Sequence, residues 1–204
     1  MPRRVFLLSP ASVKGLRAKQ LVSPRARFEL AQRYRSEEGV PIADAFAFMS
    51  ALYFRGKIAY ARRFAATDEG ANGIFVITTG FGLVAPDWAL TEERMKRMRR
   101  VDVDLSSRAY VTPLKQHAKA LANTLAPDDE IVLLGSVATG KYVDILWPLL
   151  GTRLKFPKAF AGLGDMARGG LMLRAARSGQ ELEYVTLDAN RKRPPGATGK
   201  MPAL

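Results

Sequence analysis

The chain has 204 residues, 48% hydrophobic and 25% charged, enough for one globular domain with a real core, which rules out a fibrous or wholly disordered protein. Zero cysteines and a single histidine exclude disulfide scaffolds, thiolate nucleophiles, iron–sulfur clusters and His-rich or cysteine metal sites, leaving carboxylates, hydroxyls, backbone amides and bases to carry any chemistry. Thirty-two Lys and Arg against nineteen Asp and Glu give a formal charge of +13, a field that attracts polyanions such as nucleic acid.

Arg3 to Leu8 reads as a short buried strand ending at Ser9-Pro10. Pro10 cuts that apolar run before a signal-peptide core is complete, and no run approaches the roughly 18 to 20 residues of a membrane span, so a cytoplasmic protein without a membrane partner is expected. Pro24 opens a helix whose apolar positions Phe28, Leu30, Ala31 and Tyr34 run toward Arg35. Pro41 fits a first helical position, and Ile42, Ala45, Phe46 and Met49 recur at helical spacing until Tyr53-Phe54-Arg55-Gly56-Lys57 interrupts the pattern and is placed on a loop. A second helix carries Ile58 to Ala66, and after Asn72-Gly73 the β-branched run Ile74 to Thr79 is the second strand.

Thr91 caps a short helix to Arg100 that bears Arg94, Lys96, Arg97, Arg99 and Arg100, a solvated basic face in the simplest reading. Tyr110, Leu114, Ala118, Leu121 and Leu125 mark a long amphipathic helix ending near Pro127, with His117 at the edge of its apolar stripe as a partly buried structural residue. Ile131 to Leu134 is the third strand, Lys141 to Leu150 a helix, Arg153 to Phe156 a fourth strand, Met166 to Arg177 a helix, and Glu181 to Leu187 a fifth strand of alternating type. This alternation predicts an α/β fold, a three-layer, mainly parallel sheet flanked by helices in a single domain over 1–188, with active groups at the carboxyl ends of the strands. Residues 189–204 carry Arg191-Lys192-Arg193-Pro194-Pro195-Gly196 and are expected to form a basic disordered tail. Basic residues also crowd elsewhere: Met1 to Arg35 holds nine against Glu29 alone, and Arg153 to Arg177 six against Asp165 alone, so the two stretches are expected to share a positive face.

Gly135 to Lys141 satisfies G-x-x-x-x-G-K between a strand and a helix, but Tyr142 stands where a P-loop needs a Ser or Thr hydroxyl for Mg²⁺. What survives is an anion held by amides with Ser136, Thr139 and Lys141, or a structural turn. Four glycines between Gly162 and Gly170 permit close backbone approach, and Asp165 among them either caps the following helix or serves as an ionised catalytic carboxylate. Asp44 is the other candidate carboxylate, because it precedes Phe46, Phe48, Tyr53, Phe54, Arg55 and Lys57, aromatics and cations suited to stacking on a base and gripping its phosphates.

The segments Ala51 to Ala61, Val76 to Val84, Leu133 to Val143 and Phe156 to Gly164 together resemble a bacterial family distantly similar to the YaaA peroxide-stress group and to domains found beside nucleic-acid base-modification enzymes. The resemblance spans about residues 1 to 187 and implies an α/β domain working on DNA or its bases, without supplying an established catalytic residue. The Gly140-Lys141 pair departs from that wider group.

The leading expectation is a DNA-acting base-processing enzyme, most concretely a DNA glycosylase-like hydrolase of the N-glycosidic bonds of modified or damaged bases, in repair or phage defence, without cofactor or metal. Such an enzyme extrudes its base at a cost of a few kcal/mol, repaid by phosphate contacts and stacking. Arg55, Lys57, Lys141 and Arg168 would hold phosphates, Tyr53 or Phe54 would stack, Ser9, Gly135 and Ser136 would complete the substrate site, and Asp44 or Asp165 would orient water. DNA, or RNA, is the expected partner. The alternatives are a noncatalytic DNA-binding or damage-protection protein and a P-loop-like nucleotide-dependent enzyme using Gly135 to Lys141.

Overall fold

The structure, a computed structural model, describes residues 2–138 and 140–186; the expected tail 189–204, Leu187 of the expected fifth strand and Thr139 lie outside the described residues. In chain order the elements are β1 (Arg4–Leu8), α1 (Leu16–Leu21), α2 (Glu29–Tyr34), β2 (Val40–Pro41), α3 (Ile42–Phe64), β3 (Ile74–Thr78), β4 (Gly82–Val84), β5 (Ala89–Leu90) and α4 (Glu92–Arg100). There follow α5 (Arg108–Thr124), β6 (Glu130–Leu134), α6 (Val143–Leu150), β7 (Leu154–Pro157), α7 (Asp165–Ser178) and β8 (Tyr184–Thr186).

Six strands form one sheet in the order β4-β3-β1-β6-β7-β8. The inner four are parallel and the outer two, β4 and β8, run antiparallel to their neighbours. β1 and β6 are buried on both faces, which is why each reads as an unbroken apolar run. Successive side chains point to opposite layers: Phe6, Leu8, Val132 and Leu134 join Ile58 and Tyr60 of α3 and Met172 of α7. Val5, Leu7, Ile131 and Leu133 join Leu114 and Ala118 of α5 and Ile145 of α6. The three-layer α/β fold expected from the sequence is therefore present. No helix among the described residues is long and apolar enough to cross a membrane.

Several local expectations are corrected. Tyr53 to Lys57 is helix, not loop, because α3 runs from Ile42 to Phe64 with one interruption at Ala51, whose φ of 45° and ψ of −120° leave the helical region. Gly56, which suggested the loop, is a packing device: a Cβ there would lie 2.5 Å from the Gly169 carbonyl oxygen, so its absence lets α3 and α7 meet backbone to backbone. Pro41 belongs to a two-strand ribbon of β2 with β5 and only precedes the helix. A helix forms before Pro24 as α1, and the next begins at Glu29. The helix expected from Lys141 starts at Val143.

Where the two basic stretches meet, through the pairing of β1, β6 and β7, four of their cations, Arg3, Arg4, Lys155 and Lys158, are held in an ion-pair ladder. Arg4 pairs with Glu130 at 2.8 Å and Glu181 at 2.6 Å, Lys155 pairs with Glu130, and Lys158 pairs with Glu183 at 2.9 Å. Arg3 binds Asp129, whose carboxylate also accepts the backbone N–H of Arg3 at 2.7 Å and of Ala126 at 2.8 Å. Burial opposes ionisation of Asp129, yet these donors outweigh it and hold the group below the usual carboxylate range. A group with a depressed native pKa stabilises above its unfolded pKa and loses that stabilisation as pH falls. Asp129→Asn is accordingly expected to lower the thermal midpoint at neutral pH, by a difference that shrinks in acid; an equal difference at all pH values would contradict this.

Candidate functional site

β1 leads to α3 on one face of the sheet, whereas β6, its neighbour, leads to α6 on the other. Their C-terminal loops therefore part in opposite directions, the arrangement that opens a crevice at the strand ends. Ser9 follows β1 and Gly135 follows β6, joined by a bond from the Ser9 N–H to the Leu134 carbonyl at 3.2 Å. A Cβ at Gly135 would lie 2.9 Å from the Ser9 Cβ, so glycine is what admits the serine.

Lys57 reaches this point from α3. Its Nζ donates to Ser9 Oγ at 2.7 Å and to the Ser9 carbonyl at 3.1 Å, and lies 3.8 Å from the centroid of the Tyr53 ring. At 1% exposure it is the one buried Lys or Arg side chain among the described residues. Among the described residues no carboxylate forms an ion pair with it; the influence of that sign acting on it, Asp165, has a side chain 70% exposed and sits 3.8 Å from Arg168. Burial drives the Lys57 pKa down from 10.5 to about 7, with Asp165 opposing the shift and Arg168 and Lys141 adding to it. The contrast with the N-terminal ends of the strands is direct: Arg4 and Lys155 have acids beside them, and Lys57 has a hydroxyl, a carbonyl and two further cations.

Two tyrosines complete the cluster. The Tyr53 hydroxyl is buried without a hydrogen-bond partner in the described structure, and burial, then Asp165, push its pKa up to about 12 against the pull of Arg168. Tyr142, from the β6–α6 connection, is 4% exposed; burial and Tyr53 raise its pKa while Ser9 acts in the opposite sense. Lys141 holds its ammonium 5.3 Å from the Tyr142 ring centroid. Arg168 donates to the Phe160 carbonyl at 3.0 and 3.2 Å, which fixes its guanidinium at the cluster's rim.

Of the residues singled out in the sequence, Ser9, Tyr53, Lys57, Gly135, Lys141, Asp165 and Arg168 thus come together. Ser136 adjoins them, its hydroxyl accepting the Ala138 N–H at 3.3 Å in a local turn. Phe54 is fully buried edge-to-face against Phe46 and is core rather than a stacking platform. Arg55 is exposed on the opposite side of the helix from its buried neighbours. Asp44 is exposed in the first turn of α3, before the Ala51 break and apart from the cluster. Asp165 does not cap α7 by its side chain: the cap position is Gly164, with no side-chain bond. His117 is exposed, with Nδ1 against the Leu83 backbone. On α4, Arg94 and Arg97 stack on Trp88 and Phe81, each 4.4 Å from the ring centroid, while Lys96, Arg97 and Arg100 keep an exposed basic face.

Tyr142 was legible in the sequence only as a missing metal-binding hydroxyl, and its burial against Ser9 had no local signal. Among the described residues no three His, Cys, Asp or Glu side chains gather as a metal site. A surface recess lined by Arg62, Asn72, Pro86 and Asp87 shares no residue with the cluster. Chemically, the arrangement offers an amine near its titration point, a hydroxyl in contact with it, two phenols as donors, and a cationic rim suited to an anion. No family model, no curated protein and no solved structure matches this chain.

Proposed function

We propose that the protein is a DNA-acting base-processing enzyme that cleaves N-glycosidic bonds, with the reacting sugar brought over the Ser9–Lys57 pair. The observation that carries the reading is Lys57: a buried amine with no ion-paired acid among the described residues, bonded to a serine at the strand-end crevice. A base is most effective when its pKa lies near the working pH, and the depressed value of about 7 meets that condition. Lys141 and Arg168 supply charge for the flanking phosphates, and the Tyr53 hydroxyl has a donor to spare for a bound oxygen or ring nitrogen. The chemical role given to Asp44 or Asp165 on sequence grounds passes to Lys57, since both carboxylates are exposed.

The test is base release from duplexes carrying a panel of modified or damaged bases. Lys57→Met and Ser9→Ala are expected to lose about 10²-fold or more in rate, whereas Asp44→Asn holds the wild-type rate. DNA affinity should fall steeply between roughly 50 and 200 mM salt, as several phosphate contacts require. If DNA is bound with that salt dependence and no base is ever released, the noncatalytic DNA-binding reading replaces this one. One observation favours that second reading: Ser9 and Lys57 are 4% and 1% exposed, and a closed cluster under a cationic rim could grip the backbone alone. The nucleotide-dependent reading has less support, because Lys141 precedes α6 by two residues and Tyr142 is buried at the metal-binding position of the motif.

A further inference from the structure

We infer that the Lys57 ε-amine is a covalent nucleophile toward C1′ of deoxyribose, forming an imine with the sugar; this rests on the base-processing reading and names its reacting atom. The geometry is specific to an amine that works uncharged. A neutral lysine has two N–H groups, and Ser9 provides two acceptors for them, Oγ at 2.7 Å and the carbonyl at 3.1 Å. The nitrogen lone pair is then uncommitted, whereas a lysine kept for charge alone is normally paired with a carboxylate when buried. Lysine amines desolvated in apolar pockets or beside other cations are the form that attacks carbonyl and sugar carbons, and both conditions hold here: Tyr53 and Phe54 rings lie 3.8 and 5.7 Å from Nζ, and Arg168 and Lys141 face it.

Access runs past Tyr53. Its hydroxyl makes no bond to Ser9 or Lys57 and has only Arg168 of the rim acting on it, and it stands two residues beyond Ala51, the one described non-glycine residue at positive φ.

The step balances without any oxidant or reductant. The nitrogen lone pair forms the N–C1′ bond as the glycosidic bond breaks, and the base departs with its electron pair and takes up a proton from solvent, which the closing hydrolysis of the iminium returns. The C1′–O4′ bond then opens, O4′ receives the proton shed by the nitrogen, and the product is an iminium joining Lys57 to the open sugar. Water adds to that carbon and returns the amine, leaving an abasic site. The same imine forms directly from the ring-opened aldehyde of a preformed abasic site, with loss of one water.

The experiment treats full-length wild type with borohydride in the presence of DNA containing a preformed abasic site, with base release measured separately on modified duplexes. The expected result is a protein–DNA adduct that peptide mapping places on Lys57, reduced at least about tenfold in Lys57→Arg, which keeps the charge and lacks the nucleophilic amine. Mapping on wild type does not depend on any variant folding. Base release without an adduct, or with the adduct on another lysine, overturns the nucleophile and leaves the base-processing reading standing. An adduct on Lys57 without base release from any modified duplex does the reverse. Absence of both overturns both.

Discussion

Lys57→Met is expected to stabilise the fold at pH 6 while abolishing base release, and the stabilisation should shrink as pH rises toward 10. The sign follows from linkage. Lys57 gives up its proton at about 7 in the folded chain against 10.5 for the ordinary side chain, so between these values the unfolded state binds more protons and wild-type stability increases with pH. Below pH 7 the ammonium is present in both states, and its burial weighs fully against folding. The shift corresponds to a ceiling on the order of 5 kcal/mol. Methionine has similar length and no charge, so it removes that penalty, but it leaves the Ser9 hydroxyl and carbonyl without their donor, which costs about 1–3 kcal/mol. A net gain of at most roughly 2–4 kcal/mol at pH 6 is the balance, falling to zero or reversing near pH 10.

The groups facing Lys57 keep this profile interpretable. Arg168 and Lys141 both press the Lys57 pKa downward. Tyr53 and Tyr142 are raised to about 12 and beyond, so both remain neutral across the window. Asp165 is the opposing charge, and Asp165→Asn should depress the Lys57 midpoint further. Urea denaturation of wild type and Lys57→Met at pH 6, 8 and 10 reads the effect as a change in midpoint at constant slope. A difference that is flat with pH would show that Lys57 titrates normally and would remove the main support for its chemistry.

How far the sequence discloses this site depends on how local each signal is. β1 and β6 are apolar on both faces, and such runs announce themselves without knowledge of their neighbours, so the strand ends at Ser9 and Gly135 were placed correctly. The Tyr53 to Lys57 stretch failed because its polar and glycine residues were read as solvent-facing. In the fold Lys57 turns inward and Gly56 is explained by Gly169, a residue far along the chain. Ala51 is similar: nothing in an alanine marks a positive φ, and the break arises where α7 presses on α3. β2 and β5 are each two residues long, below any periodicity. Asp44 and Asp165 drew attention as acids near cations, but both are exposed and only Asp165 acts on Lys57, a difference in burial and placement that no composition reveals.

The contact between α3 and α7 supports the second large prediction, in which adjacent glycines respond with opposite signs. Gly169 and Gly170 both lie inside α7, where replacement by Ala favours the helix by about 1 kcal/mol in the absence of other effects. At Gly169 a Cβ would stand 2.7 Å from the Leu52 carbonyl oxygen and 2.8 Å from the Tyr53 Cα, both backbone atoms that cannot swing aside. The helices must separate instead, and overpacking of this kind costs about 1–3 kcal/mol or more, enough to outweigh the helix gain. At Gly170 the nearest atom is the end of the Arg174 side chain at 3.4 Å, which can move. Gly169→Ala should therefore lower the thermal midpoint by roughly 4 to 8 °C, using about 2–4 °C per kcal/mol for a domain of this size, while Gly170→Ala leaves it unchanged or raises it. Because the displaced atoms belong to Leu52 and Tyr53, the Gly169→Ala loss should extend to chemistry: at a temperature where the variant is folded, base release should fall while DNA binding through the rim persists. Equal behaviour of the two alanine variants in both assays would mean that the close helix contact neither limits stability nor positions Tyr53 over Lys57.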